Sequence, residues 1–391
     1  MSEEKLVPKL RFSGFNDEWE SYKFDDLFNF QVAGDMKKEL FNDELTDEFK
    51  YPLYANALEN EGLLGYYKDY KYESNSITVT ARGNIGYATV RKNKFSAIGR
   101  LIILTAKINL NMNFFEEYIN NNVKVHIEST GVPQLTAPSL KINKINCPNL
   151  NEQNKISNFL TRLNKKIELL EKKHQCYQDF KKYLMQQIFT QKLRFRNFNE
   201  NFNEYLISQL FISKKGSGLS KDMIENDGVN KCVLYGELYT NYSEIISEVQ
   251  SRTNEECKSL SKYGDILIPS STTTKGIDLV TASVILDDDV YLGGDITILR
   301  NKDDSIVNNS YFAYYFSNGL IKDVSRLTQG STIIHLYWKD FKKVKVMLPS
   351  LEEQEKITNI LISIDEKLNE INNIIDSMKE FKKGLLQQMF V

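Results

Sequence analysis

The 391-residue chain is poor in the residues that most chemistry needs: 4 cysteines, 3 histidines, 2 tryptophans and 7 prolines. Each scarcity closes off a class of function. Cys147, Cys176, Cys232 and Cys257 are scattered without a C-x-x-C pair, so they read as reduced thiols, not as a zinc ribbon or a disulfide framework. His126, His174 and His335 are too dispersed for a metal cluster. His174 falls on a helical seam and His335 in the apolar "STIIHLYW", so both read as packing residues, and Asp287 to Asp289 read as a solvated turn. The prolines are all isolated, which excludes an Asn/Asp-Pro-Pro-aromatic methyltransferase motif. There is no G-x-x-x-x-G-K-[ST] loop and no G-x-G-x-x-G following a strand. No stretch approaches the roughly 18 apolar residues of a membrane span, and "MSEEKLVPKLRF" lacks the apolar core of a signal peptide. These absences predict a soluble, cytoplasmic binder that is no enzyme and holds no metal or cofactor.

Charge of one sign is also missing. The net charge is −2, whereas a chain that grips nucleic acid alone carries a basic excess. The balance is uneven along the chain, however. Residues 147–190 hold 8 basic and 4 acidic side chains, and residues 349–391 hold 5 and 8. Two antiparallel helices of those compositions would attract each other.

What is present is a repeat. Residues 148–189, from "PNLNEQNKISNFL", align without a gap to 349–390, from "PSLEEQEKITNIL", with 16 identities in 42 positions. "KLRFSGFNDEWESY" at 9–22 matches "KLRFRNFNENFNEY" at 192–205, and weaker echoes join "GRLIILTAK" to "GDITILRNK", "NFFEEYINNN" to "SYFAYYFSNG" and Gly131 to Gly330. The offset grows from 183 to 201, so the second half carries about 18 extra residues before position 294. The chain is a tandem duplication of a variable globular unit followed by a long helix, which predicts four segments: 1–146, 147–190, 191–348 and 349–391.

Each helix opens with capping-box spacing, Asn149 to Glu152 and Ser350 to Glu353, after a proline. Apolar residues then recur at 4-3 spacing: Ile156, Leu160, Leu163, Ile167 and Leu170 in one, Ile357, Leu361, Ile364, Leu368 and Ile371 in the other. That is a heptad seam in one register, which fits a helix packed on its own domain or two helices paired with each other. The duplication favours the pair, an antiparallel coiled coil about 50 Å long, antiparallel because of the long crossover between the helices. The globular units read as mixed α/β. "SITVTARGN", "GYATVRK", "GRLIILTAK", "GDILIPS" and "GGDITILR" look like short strands. The predicted class is α+β, two mixed α/β domains alternating with two long helices in a pseudo-twofold tandem repeat.

The repeated "P.L.EQ.KI" signature, the opening "PKLRF.GF...WE" and the closing "FKK.LLQQMF" resemble the DNA-specificity subunit of type I restriction-modification systems, over the whole chain. The resemblance implies two target-recognition domains, each reading half of a split site in double-stranded DNA. It also implies paired helices that set the spacing and dock two methyltransferase subunits, with restriction subunits joining the full complex. Base reading needs Arg or Lys for guanine and Asn or Gln for adenine on loops. In the first unit this points to Arg82 and Asn84, with Arg91, Lys92, Asn93 and Lys94 on phosphates. In the second it points to Lys214, Lys215, Ser217, Lys221, Tyr239, Thr240, Tyr242, Ser271, Thr272, Thr273 and Lys275. The competing reading is a coiled-coil adaptor whose globular units bind proteins.

Overall fold

A computed structural model describes residues 5–123 and 133–391; His126 and Gly131 lie outside them. The chain divides into two compact units, Met1–Glu171 with Asn373–Val391, and Lys172–Asn372. The division does not follow the four consecutive segments, because each long helix contributes one half to each unit. The central helix runs Leu150–Phe189 and the C-terminal helix Leu351–Met389.

Within the first unit, Ile156 and Leu160 of the central helix are buried in one cluster with Leu385, Leu386 and Met389 of the C-terminal helix. Within the second, Met185 and Ile188 share a cluster with Ile357 and Leu361. The start of each helix meets the end of the other, so the pair is antiparallel. Ile167, Ile364 and Ile371 are also buried, while Leu163, Leu170 and Leu368 stay partly exposed. Ion pairs join the helices at Lys379 and Glu171 (2.7 Å) in the first unit and at Lys181 and Asp365 (2.7 Å) in the second.

The capping expectation holds in part and needs one correction. The Asn149 carboxamide oxygen accepts the Glu152 N–H at 3.1 Å. The Glu152 carboxylate does not turn back to its cap; it takes a two-pronged bond from Arg11, 2.7 Å on each oxygen. Arg194 holds Glu353 in the same way, 2.9 and 2.8 Å. Both carboxylates are fully buried, and a buried charge needs a charged, hydrogen-bonded partner. These bonds hold both arginines above their usual range. The repeated "KLRF" and "EQ" are thus two sides of one clamp.

The glutamine beside each glutamate completes the clamp. Gln153 donates to the Pro148 carbonyl and accepts the Asn111 N–H (2.9 and 3.1 Å), and Gln354 does the same with Pro349 and Asn308 (2.9 Å each). Asn111 and Asn308 in turn cap the helices Met112–Asn122 and Asn309–Asn318 through their side chains. The amide of Leu10 bonds the Gln388 carbonyl at 2.9 Å, as the amide of Leu193 bonds that of Gln187 at 3.1 Å. The first unit therefore closes on the end of the chain as the second closes on the end of the central helix.

Each globular part has a central antiparallel sheet. In the first unit its order is Phe28–Val32, Ile102–Ala106, Ser76–Val79, Ala88–Arg91. In the second it is Phe211–Lys215, Ile296–Asn301, Ile266–Pro269, Ser283–Ile285, with a fifth, parallel strand Ile245–Ile246. The central strands are buried on both faces, which suits their unbroken β-branched runs. The units differ beyond this scaffold. The first adds a small four-stranded sheet, and the second a three-stranded one with its own core around Val233, Leu238 and Leu292.

Candidate nucleic-acid interface

The loop joining Ser76–Val79 to Ala88–Arg91 is pinned from inside. The Asn56 carboxamide oxygen accepts the N–H groups of Ala81 (2.8 Å) and Arg82 (3.3 Å). The Thr80 hydroxyl accepts the Tyr87 N–H at 2.9 Å and donates to the Asn84 carbonyl. Gly83 turns the chain at φ +68°, where a residue with a Cβ would be strained. Arg82 and Asn84 at the tip are exposed. The Arg82 guanidinium donates from Nε and Nη2 to the Gln134 carboxamide oxygen, 3.1 and 2.9 Å. Two of its five N–H donors are thus spent on orientation, leaving three for a ligand.

Lys92 and Asn93 are exposed; Lys94 is exposed but occupied, donating to Tyr70 Oη at 2.8 Å and pairing with Glu73 at 3.3 Å. Arg91 corrects the expectation of a phosphate contact, because its side chain is only 4% exposed. It donates to Thr78 Oγ1 (2.9 Å) and lies 3.6 Å over the Tyr54 ring. Alternation decides this, since on a strand neighbouring side chains point to opposite faces.

The second unit repeats the loop position. The Leu336 N–H bonds the Ser270 carbonyl (3.0 Å) as the Leu135 N–H bonds that of Ala81 (2.9 Å). Ser271 therefore stands where Arg82 stands, and His335 where Gln134 does. Ser271 and Thr272 are buried, which corrects their assignment as DNA contacts. Ser271 donates to Asp295 Oδ2 at 2.9 Å and Thr272 bonds the Thr274 hydroxyl at 2.8 Å, so both shape the loop from within. Thr273 and Lys275 beyond them are exposed. His335 is half-buried and stacks on Tyr337, ring centres 5.5 Å apart.

Lys214 and Lys215 project from the outer strand and are exposed. Ser217 is half-buried against the Ser259 hydroxyl, 3.1 Å. Tyr239 is half-buried. Tyr242 accepts the Gln250 N–H at 3.0 Å, and burial raises its phenol above the usual range. Lys221 and Thr240 line one cleft of about 800 Å³ with Tyr235, Asn241 and Asp295. The cleft thus brings Lys221 and Thr240 together, and its Asp295 accepts from Ser271. Gln134, Asn56 and Tyr235 were not among the predicted residues. The 201-residue offset links Gln134 to His335 and was the signal available for that pair.

Among the described residues, no group of three or more His, Cys, Asp or Glu side chains could hold a metal ion, and no helix is long and apolar enough to cross a membrane.

The family model for the type I restriction modification DNA specificity domain matches residues 16–176 and 199–377. A putative type I specificity subunit of Mycoplasma pneumoniae is 30% identical over 42% of this chain and 48% of its own length. A second from that organism is 29% identical over 44% and 54%. The chain thus spans about half the length of these two relatives. A putative type I specificity subunit of Mycoplasma genitalium is 22% identical over 98% of this chain and 97% of its own. Among solved structures, the type I restriction-modification S subunit of M. genitalium superposes with a TM-score of 0.66 at 18% identity, covering 98% and 99% of the two chains. With both repeats matched and the same two-unit, two-helix fold, the chain belongs to the type I restriction modification DNA specificity family.

Proposed function

We propose that this chain is the non-catalytic DNA-reading subunit of a type I restriction-modification complex. Each unit reads one half of a bipartite duplex site. The paired helices set the separation of the halves and dock two methyltransferase subunits, and restriction subunits join the full complex in the cytoplasm. The observation that carries this reading is the doubled clamp: one Arg–Glu–Gln arrangement anchors two scaffolds that differ in their loops. Equal anchoring with unequal loops is what two readers of different sequences need. The near-neutral charge fits a subunit whose phosphate grip is supplemented by its partners, since phosphate neutralisation dominates affinity.

The test is co-expression with a type I methyltransferase subunit from the same genome in a host lacking that methylation, followed by genome-wide mapping of modified bases. Two short defined halves around an undefined gap, dependent on both genes, are expected. An active, soluble methyltransferase that adds no new methylation would return the adaptor reading. Within the same assay, Arg82→Ala is expected to relax one position of the first half-site by about 1–3 kcal/mol of discrimination and to leave the second half-site unchanged. Equal relaxation of both halves would make Arg82 a structural residue.

A further inference from the structure

The two central sheets correspond strand for strand in order and pairing until their last member. In the second unit, Ile245–Ile246 adds in parallel to Ser283–Ile285; the Val284 N–H bonds the Glu244 carbonyl (2.9 Å) and the Leu286 N–H that of Ile246 (3.0 Å). In the first unit, the order ends at Ala88–Arg91. The Val90 N–H, equivalent to that of Val284, is met only by a side chain, Glu116 Oε1 at 2.9 Å. Burial raises the Glu116 carboxyl above its usual range, so this is an expensive substitute for a main-chain carbonyl. Where the fifth strand would run lies a cleft of about 1060 Å³.

Arg91 lines that cleft. Its equivalent in the second unit is Ile285, which is fully buried and pairs with Ile246 of the added strand. Arg91 is itself 96% buried, yet Nη1 has no hydrogen-bond partner. The Glu61 carboxylate, itself exposed, stands 4.0 Å from that nitrogen. A buried donor left unmatched costs about 1–3 kcal/mol, more for a charged group, so the site is poised for an acceptor. Lys382 also lines the cleft and bonds Glu117 at 3.0 Å. Its equivalent Lys181 pairs with Glu244, the acid that leads the fifth strand, at 3.1 Å.

We propose that this edge, from Val90 onward, binds an extended, acidic-apolar segment of a partner protein, which displaces Glu116 from the Val90 N–H, adds as a fifth strand and places a carboxylate on Arg91. Ala88 before it stays closed by Asn120, which takes its N–H and carbonyl at 2.7 and 3.0 Å. The other unit supplies the pattern of the occupant: an acid followed by β-branched residues, as in Ser243–Ile246. Strand addition gains main-chain hydrogen bonds and takes specificity from alternate side chains. The unfilled main-chain edge beside Arg91 asks for a peptide strand, which duplex DNA cannot supply.

A fluorescein-labelled peptide with the sequence of residues 241–249, NYSEIISEV, is the probe, titrated by anisotropy against the full chain. Saturable binding is expected, with hydrogen exchange slowed at residues 90–93 and not at 28–32. Arg91→Leu is expected to weaken binding at least tenfold, and Lys92→Glu, on the exposed rim and leaving melting unchanged, severalfold. The Lys92→Glu arm decides the matter if Arg91→Leu does not fold. Absent saturation, or equal affinity for the wild type and the rim variant, overturns the proposal. So does displacement of the peptide by duplex DNA, which would assign the cleft to the DNA-reading surface.

Discussion

Arg11→Ala is expected to destabilise the first unit by about 3 kcal/mol, the low end for stranding one member of a buried ion pair. Its partner Glu152 has a side chain with 0% exposure, and Arg11 itself is 11% exposed, so water does not replace the lost guanidinium. For a unit of this size that is a fall of about 6–12 °C in its melting transition. The second unit has its own clamp, so its transition is expected to stay in place. Arg194→Ala should give the mirror result, smaller because Arg194 is 27% exposed. Arg11→Lys should rescue part of the loss, keeping the charge but not the fork. A loss within about 0.5 kcal/mol, the range of ordinary surface changes, would mean that the clamp is ornamental and that packing alone holds the unit to its helix.

Leu361→Asp should be the most damaging single change to the second unit. Leu361 has no exposure and packs with Ile357, Met185 and Ile188 in one cluster. A carboxylate there loses its hydration with no cation designed to meet it, and more than about 4 kcal/mol is expected. Urea unfolding followed by circular dichroism measures this directly, and selective loss of the second half-site in the methylation assay follows from it. Leu163→Asp on the same seam is expected to cost less, since Leu163 is only partly buried. Leu169→Asp is the control: Leu169 is 53% exposed, and a change within about 0.5 kcal/mol is expected. Similar losses at Leu361 and Leu169 would contradict the assigned faces of the two helices.

The duplication, the long helices and their shared register were legible because they are local and periodic. A 4-3 apolar spacing specifies which side of a helix is dry, whatever it packs against. The short strands and the loop equivalence after Val79 and Pro269 were legible for the same reason, from β-branched runs cut by glycine and serine. For the candidate residues, the sequence offered loop positions but not which side chains are buried. Arg91 reads as one basic residue among four in "RKNK", and strand alternation turned it inward onto Tyr54 while Lys92 and Asn93 stayed in water. Ser271 and Thr272 look like base-reading hydroxyls, yet Asp295, 24 residues downstream of Ser271, claims the first.

By itself, then, the sequence determined that there are two units, that each is followed by a helix with one apolar seam, and which residue types recur at each junction. It could not say what the recurring residues touch. Glu152 sits 141 positions from Arg11 and Glu353 159 from Arg194; only the folded chain brings them together, because burying a carboxylate is favourable once a guanidinium arrives from elsewhere. Periodicity is carried by neighbours a few residues apart, whereas satisfaction of buried charge depends on partners the chain supplies from far away, and that part was decided by the tertiary structure.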